Sequence, residues 1–137
     1  MTSVNQGKSQ EQKNSEYLEA AGKGKLETLV TLLDAGADLK CKNEDGDSAL
    51  HLAALEGHNT IVKTLVDRGL DVNIRGDQDW TPLMRAAVAG YETTFNILIK
   101  AGADITCRDV QGNNALDVAA AHNKIIKTLL EIQTGQL

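Results

Sequence analysis

Large aromatic rings are scarce in this 137-residue chain: one Trp, two Tyr and one Phe, 3% of the whole. Bases are also outnumbered, with 14 Lys and Arg against 19 Asp and Glu, for a net charge of −5. Nucleic-acid binding draws on basic surface and aromatic stacking, so both shortages argue against it. A single proline disfavours an all-β chain of many proline-marked turns. Two cysteines make neither a disulfide scaffold nor a four-ligand zinc site, and no metal or cofactor is expected. No stretch approaches the roughly 18 to 20 consecutive apolar residues of a membrane span. The N-terminal residues have no apolar run of the secretory type. Thr2 stands where myristoylation needs glycine, and the final Gln-Thr-Gly-Gln-Leu is no prenylation box. A cytoplasmic protein with no membrane role is therefore expected; the alternative is an exported or periplasmic one whose signal has been removed. What is present, 42% apolar and 24% charged residues, is ordinary for one globular domain.

Residues 1 to about 15 are mostly Gln, Asn, Ser and Lys, a composition that predicts a disordered polar tail. Beyond it the chain matches itself when shifted by 33. Leu50, Ala53, Ala54, Gly57, Leu65 and Val66 fall on Leu83, Ala86, Ala87, Gly90, Leu98 and Ile99. The opposite shift reaches Ala20, Ala21, Gly24, Leu32 and Leu33, and a further forward one Leu116, Ala119 and Ala120. Gly36-Ala37-Asp38, Gly69-Leu70-Asp71 and Gly102-Ala103-Asp104 keep the same interval.

One unit has a physical reading. Ser48 is placed to cap a short helix through Ala54, whose small residues allow close packing, and Gly57 ends it. Ile61, Val62, Leu65 and Val66 form the stripe of a second amphipathic helix, closed by Gly69. Asn43-Glu44-Asp45-Gly46 supplies turn residues between units. Such a helix pair cannot bury both faces alone, so units must stack.

Thr81-Pro82-Leu83, Ser48-Ala49-Leu50-His51, the Ala-Ala pairs and the Gly-Ala-Asp triplets resemble the ankyrin repeat. The resemblance covers 16–132 in four units, 16–42, 43–75, 76–108 and 109–132, with 133–137 as a tail. It implies an all-α solenoid of stacked helix-turn-helix units joined by β-hairpin-like loops. The first unit lacks a turn motif ahead of Tyr17-Leu18, and the fourth aligns best with two residues deleted between Ala121 and Lys124. Arg85 occupies the place of Leu52; a charge there is costly unless it reaches water or a partner, so Arg85→Leu is expected to be neutral or stabilising.

Several short patterns mimic chemistry. Asp47, Ser48 and His51 have the residue types of a triad, but they fall on turn and cap positions, where the family places a structural Ser or Thr to His bond. His58 belongs to a structural Gly-His pair, and His122 has no assigned role. Gly7-Lys8-Ser9 lacks the leading glycine and preceding strand of a phosphate loop, and Gly22-Lys23-Gly24-Lys25 serves as an inter-helix turn. Cys41 and Cys107 occupy equivalent positions two repeats apart, about 20 Å at typical helix spacing. A disulfide needs Cα atoms within roughly 7 Å, so they do not pair within the chain. No enzymatic role is expected.

What remains is surface. The resemblance implies a concave face of loop tips and inner-helix ends that binds another protein. By position this selects Glu44, Asp45, Asp47, Leu55 and Glu56, then Asp77, Gln78, Trp80, Arg85, Val88 and Ala89, then Val110, Gln111, Asn113, Ala121 and His122. Trp80, equivalent to Asp47 and Asn113, is expected to be exposed beside Val88 and Val110 as a contact anchor; the alternative is local packing over its own hairpin. Glu44, Asp45, Asp47, Asp77 and Asp79 form an acidic fringe with Arg75, Arg85 and Arg108 beside it, suited to a partner with a basic or apolar patch. A monomer acting as a stoichiometric inhibitor of a partner enzyme, as four-repeat cyclin-dependent kinase inhibitors and immunity-type proteins act, is favoured over an adaptor bridging two proteins. Four repeats offer limited area for two partners at once.

Overall fold

The computed structural model describes residues 7–119 and 123–135. The helices are α1 (Gln10–Lys23), α2 (Leu26–Asp34), α3 (Ala49–Leu55), α4 (Asn59–Asp67), α5 (Pro82–Ala89), α6 (Glu92–Lys100), α7 (Ala115–Val118) and α8 (Asn123–Gln133). Among the described residues no strand forms; one antiparallel bridge, Lys42 with Ser48, closes the second hairpin. The inner helices α1, α3, α5 and α7 pack in series, and α4, α6 and α8 follow on the outer side. The result is an all-α solenoid.

The 33-residue period is written in the caps. Ser48, Thr81 and Asn114 each accept a bond from the backbone N–H three residues on and start α3, α5 and α7. Pro82 follows Thr81 at the first helical position, where its missing N–H costs nothing. At the other end, Gly24, Gly57 and Gly90 turn the chain toward the outer helix with φ of 77°, 71° and 82°. Space reinforces that need: a Cβ on Gly57 would lie 2.8 Å from the Tyr91 ring.

The core explains the low aromatic content. Ala20, Ala21, Ala53, Ala54, Ala86 and Ala87 are buried between neighbouring inner helices, and leucines such as Leu50, Leu65, Leu83 and Leu98 fill the space toward the outer layer. Two of the four aromatics are nonetheless core residues. Phe95 takes the place of Val62, and Tyr17 that of Leu50, its hydroxyl donating to the Leu39 carbonyl at 2.9 Å. Burial pushes the Tyr17 phenol well above its ordinary range.

The N-terminal boundary needs correction. Residues 10–15, assigned above to a disordered tail, are the first turns of α1. Ser15 holds the register position of Ser48, yet the cap is Ser9, whose side chain accepts from Gln12 N. The second hairpin breaks at Gly46, whereas the equivalent stretch 10–15 has neither Gly nor Pro and continues as helix. Its polar side chains reach the end of α2: Lys13 Nζ donates to Ala35 O at 3.1 Å, Gln10 Nε2 to Gly36 O at 2.9 Å, and Asn14 Oδ1 accepts from Asp38 N at 2.7 Å. Ala121 and His122, expected on the concave face, lie outside the described residues.

Candidate protein-interaction surface

The three hairpins at 43–48, 76–81 and 109–114 begin alike in register and differ at their first residue. In the second unit Asn43 Oδ1 accepts from Asp45 N and Asp47 N, both at 3.0 Å. In the fourth, Asp109 Oδ1 accepts from Gln111 N and Asn113 N, both at 2.9 Å. These side chains brace their own loops. The third hairpin has Gly76 there and no such brace. Glycine is required: a Cβ would sit 2.3 Å from Asp47 Oδ1 and 2.7 Å from His51 Nε2.

Neighbouring repeats hold this hairpin instead. Asp47 Oδ1 accepts from Asp77 N at 2.9 Å, and the His51 ring donates from Nε2 to the Trp80 carbonyl at 2.7 Å. Arg75 Nη1 donates to the carbonyls of Asp79 and Arg108 at 2.9 and 2.7 Å. Val110 N donates to Gln78 O at 3.0 Å. The tip takes one 3₁₀ turn, Asp77–Asp79, with Gln78 and Asp79 left-handed at φ 58° and 64°. A left-handed side-chain residue costs of order 1–3 kcal/mol and persists only where the surroundings over-determine it.

Trp80 and Arg85 sit inside this frame. The indole Nε1 donates to Asp109 Oδ2 at 2.9 Å, and the Arg85 guanidinium carbon lies 4.9 Å from the Trp80 ring centroid. Arg85 Nη2 pairs with Asp47 Oδ2 at 3.2 Å. Trp80 is thus half-buried, tied down on its edge and covered by a cation, rather than the exposed ring expected. Asp47 is also not part of the exposed acidic fringe expected: only 7% exposed, it is an internal carboxylate serving Arg85 and the third hairpin. The charge of Arg85 therefore has a partner, which reverses the expectation that leucine would serve as well there.

The electrostatics follow from packing. Burial pushes Asp109 upward, but the N–H groups of Asn113 and Gln111 and the Trp80 indole outweigh it and hold the carboxyl below its ordinary range. Burial lowers His51; the Trp80 carbonyl and Asp47 pull it up, while Arg85 and Lys42 push it down. Ser48 N donates to His51 Nδ1 at 3.1 Å, which fixes the neutral tautomer with its proton on Nε2. Asp47, Ser48 and His51 are in this way consumed by caps and inter-repeat bonds, with Ser48 fully buried. His58 serves similarly, its Nε2 bonded to Gly22 O at 3.0 Å.

Of the residues selected by position, Asp77, Gln78, Trp80, Arg85 and Gln111 converge with Asp109 on a shallow pocket of about 330 Å³. Val88 and Val110 are 40% and 64% exposed. They do not line that pocket, nor do Leu55, Glu56, Ala89 and Asn113. Glu44 and Asp45 line a different and larger groove of about 980 Å³, whose opposite wall is α1. Asp109 and the α1 residues were missed. Asp109 was visible as the register partner of Asn43, and α1 as a Ser9 cap followed by a stretch without turn residues.

Comparison with known proteins places this geometry in a family. A model of ankyrin repeats in three copies matches residues 18–109, and the chain belongs to the ankyrin-repeat family, whose members are protein-binding modules. It is 51% identical over 39 residues to the human Notch-regulated ankyrin repeat-containing protein, covering 28% of this chain and 34% of that one. The Danio rerio Notch-regulated ankyrin repeat-containing protein B is equally similar over 39 residues, with 28% and 35% covered. An ankyrin repeat protein of Rickettsia felis is 39% identical over 49 residues, 36% of this chain and 78% of that one. The chain thus spans about a third of the length of the Notch-regulated relatives it matches. Among the described residues no helix is long and apolar enough to cross a membrane.

Proposed function

We propose that this protein is a monomeric, cytoplasmic, stoichiometric inhibitor of a partner enzyme, of the immunity or self-protection type, acting through its concave loop and inner-helix face. The pocket of Asp77, Gln78, Trp80, Arg85, Asp109 and Gln111 carries this reading. An aromatic already clamped on its edge and face loses little freedom when a partner covers it, so its contact area converts efficiently into affinity. Occupation of a partner's active surface needs no further chemistry. The adaptor reading draws support from the separate groove along α1, which offers a second lining of different composition.

Affinity purification followed by titration of the recovered enzyme tests both. Inhibition that saturates at a one-to-one ratio is the expected result. Unchanged activity overturns inhibition, and a ternary complex formed without loss of activity establishes the adaptor.

A further inference from the structure

We infer that the groove between α1 and the second hairpin receives a short, extended, basic and partly apolar segment of a partner protein. This rests on the reading of the chain as a protein-binding module and adds a surface distinct from the Trp80 pocket. In the other units a hairpin precedes the inner helix. In the first unit residues 10–15 are helical instead, so α1 forms a straight wall of 14 residues, about 21 Å at 1.5 Å per residue. The facing wall is the hairpin from Cys41 to Asp45. About six extended residues span that length.

The lining selects the occupant. Its apolar lining is Leu18 and Leu52 with Cys41 at the foot of the hairpin wall, and Gly22 leaves space open beside Leu52. Burial and Asp38 push the Cys41 thiol up to about 11, so it stays a neutral part of that lining at pH 7. Its rim is acidic. Glu11, Glu19, Glu44 and Asp45 face Lys23 and Lys42. Lys23 is spent on Glu19 in an ion pair at 2.5 Å, and Lys42 Nζ points to the Arg75 carbonyl at 2.6 Å. Glu11, Glu44 and Asp45 are exposed and make no ion pair among the described residues. An extended strand places alternate side chains on opposite faces, so apolar residues reach the apolar lining while lysine or arginine meets the rim.

Fluorescence anisotropy with three labelled hexapeptides tests this: alternating lysine and leucine, alternating glutamate and leucine, and alternating lysine and glycine. The lysine–leucine peptide should bind at least about tenfold more tightly than the other two, a difference of about 1.4 kcal/mol. Glu44→Lys with Asp45→Lys should weaken it by about tenfold, while Glu27→Lys with Asp67→Lys, an equal change of net charge on exposed outer-helix positions, should shift it less than about twofold. Equal binding of the glutamate peptide, equal loss in both double variants, or no binding of any peptide overturns the proposal. The titration needs no partner enzyme. A protein that inhibits nothing can still bind the peptide, and one that ignores the peptide can still inhibit through Trp80.

Discussion

Asp47 and Arg85 are 38 positions apart and meet at 3.2 Å, joining the second hairpin to the inner helix of the third unit. Their side chains are only 18% and 10% exposed for Arg85 and Asp47 respectively, which puts the pair nearer the buried class than the surface one. Asp47 bonds the third hairpin from the same carboxylate, so one residue orients both the base over Trp80 and the loop that carries Trp80.

Removing the base leaves that carboxylate uncompensated. Arg85→Leu should lower stability by about 1–3 kcal/mol, below the full cost of breaking a wholly buried pair because some water reaches this one. Urea denaturation measures it. A double-mutant cycle with Asp47→Asn should show the two losses to be less than additive. An unchanged or raised melting temperature in Arg85→Leu would show that the pair contributes nothing.

Gly76→Ala should cost at least as much. The new methyl would meet Asp47 Oδ1 and His51 Nε2 at 2.3 and 2.7 Å, so either the hairpin or both partners must move. The expected signature is a loss of order 1–3 kcal/mol together with a shift in Trp80 fluorescence, because the displaced groups position the indole's loop. Gly69→Ala, with nothing within 4 Å of its Cβ but a φ of 100°, separates strain in the backbone from the clash.

His51 sets a pH dependence. Its pKa is lowered in the fold, so the unfolded chain binds a proton more readily as pH falls. The stability it provides is complete above the unfolded value of about 6.5 and is lost as pH drops below that toward the folded value. Asp109, also lowered, adds a second loss in the carboxylate range below about 4. Melting temperature measured from pH 8 down to 3 should therefore fall in two steps. His51→Gln should flatten the upper one.

The period and the cap at Ser48 were legible because both show in the residue pattern of the units themselves. The Asp47–Arg85 pair was not. Register aligned Arg85 with Leu52, but only the stacked geometry shows that a carboxylate from the preceding hairpin leans toward it. Trp80 was found as a singular residue, and its half-burial was missed because Asp109 and Arg85 approach it from separate elements. The start of α1 was misplaced for the opposite reason: a polar composition suggested a tail, while those polar side chains are the ones that bond the end of α2.

That last point has a direct test. A chain starting at Glu16 would lack Gln10, Lys13 and Asn14 and leave Asp38 N and the carbonyls of Ala35 and Gly36 without these partners. At about 1 kcal/mol for each net hydrogen bond, it should lose about 2–3 kcal/mol and show reduced helical circular dichroism. Stability equal to the full chain would restore the tail reading.

Trp80 is the test of where the proposed partner sits. Trp80→Ala removes the ring, the contact with Arg85 and the bond to Asp109, and should weaken partner binding by about tenfold or more, as truncation of a central aromatic does. Because Arg85 keeps Asp47 and the helices are capped elsewhere, helical circular dichroism should be unchanged. Trp80→Phe keeps a six-membered ring for Arg85 to cover while losing the N–H to Asp109 and part of the ring area, so its loss of affinity should be smaller than that of alanine. If Trp80→Ala binds as tightly as the parent chain, the third hairpin is not the contact. The groove along α1, with its acidic rim and apolar lining, then becomes the surface to map next.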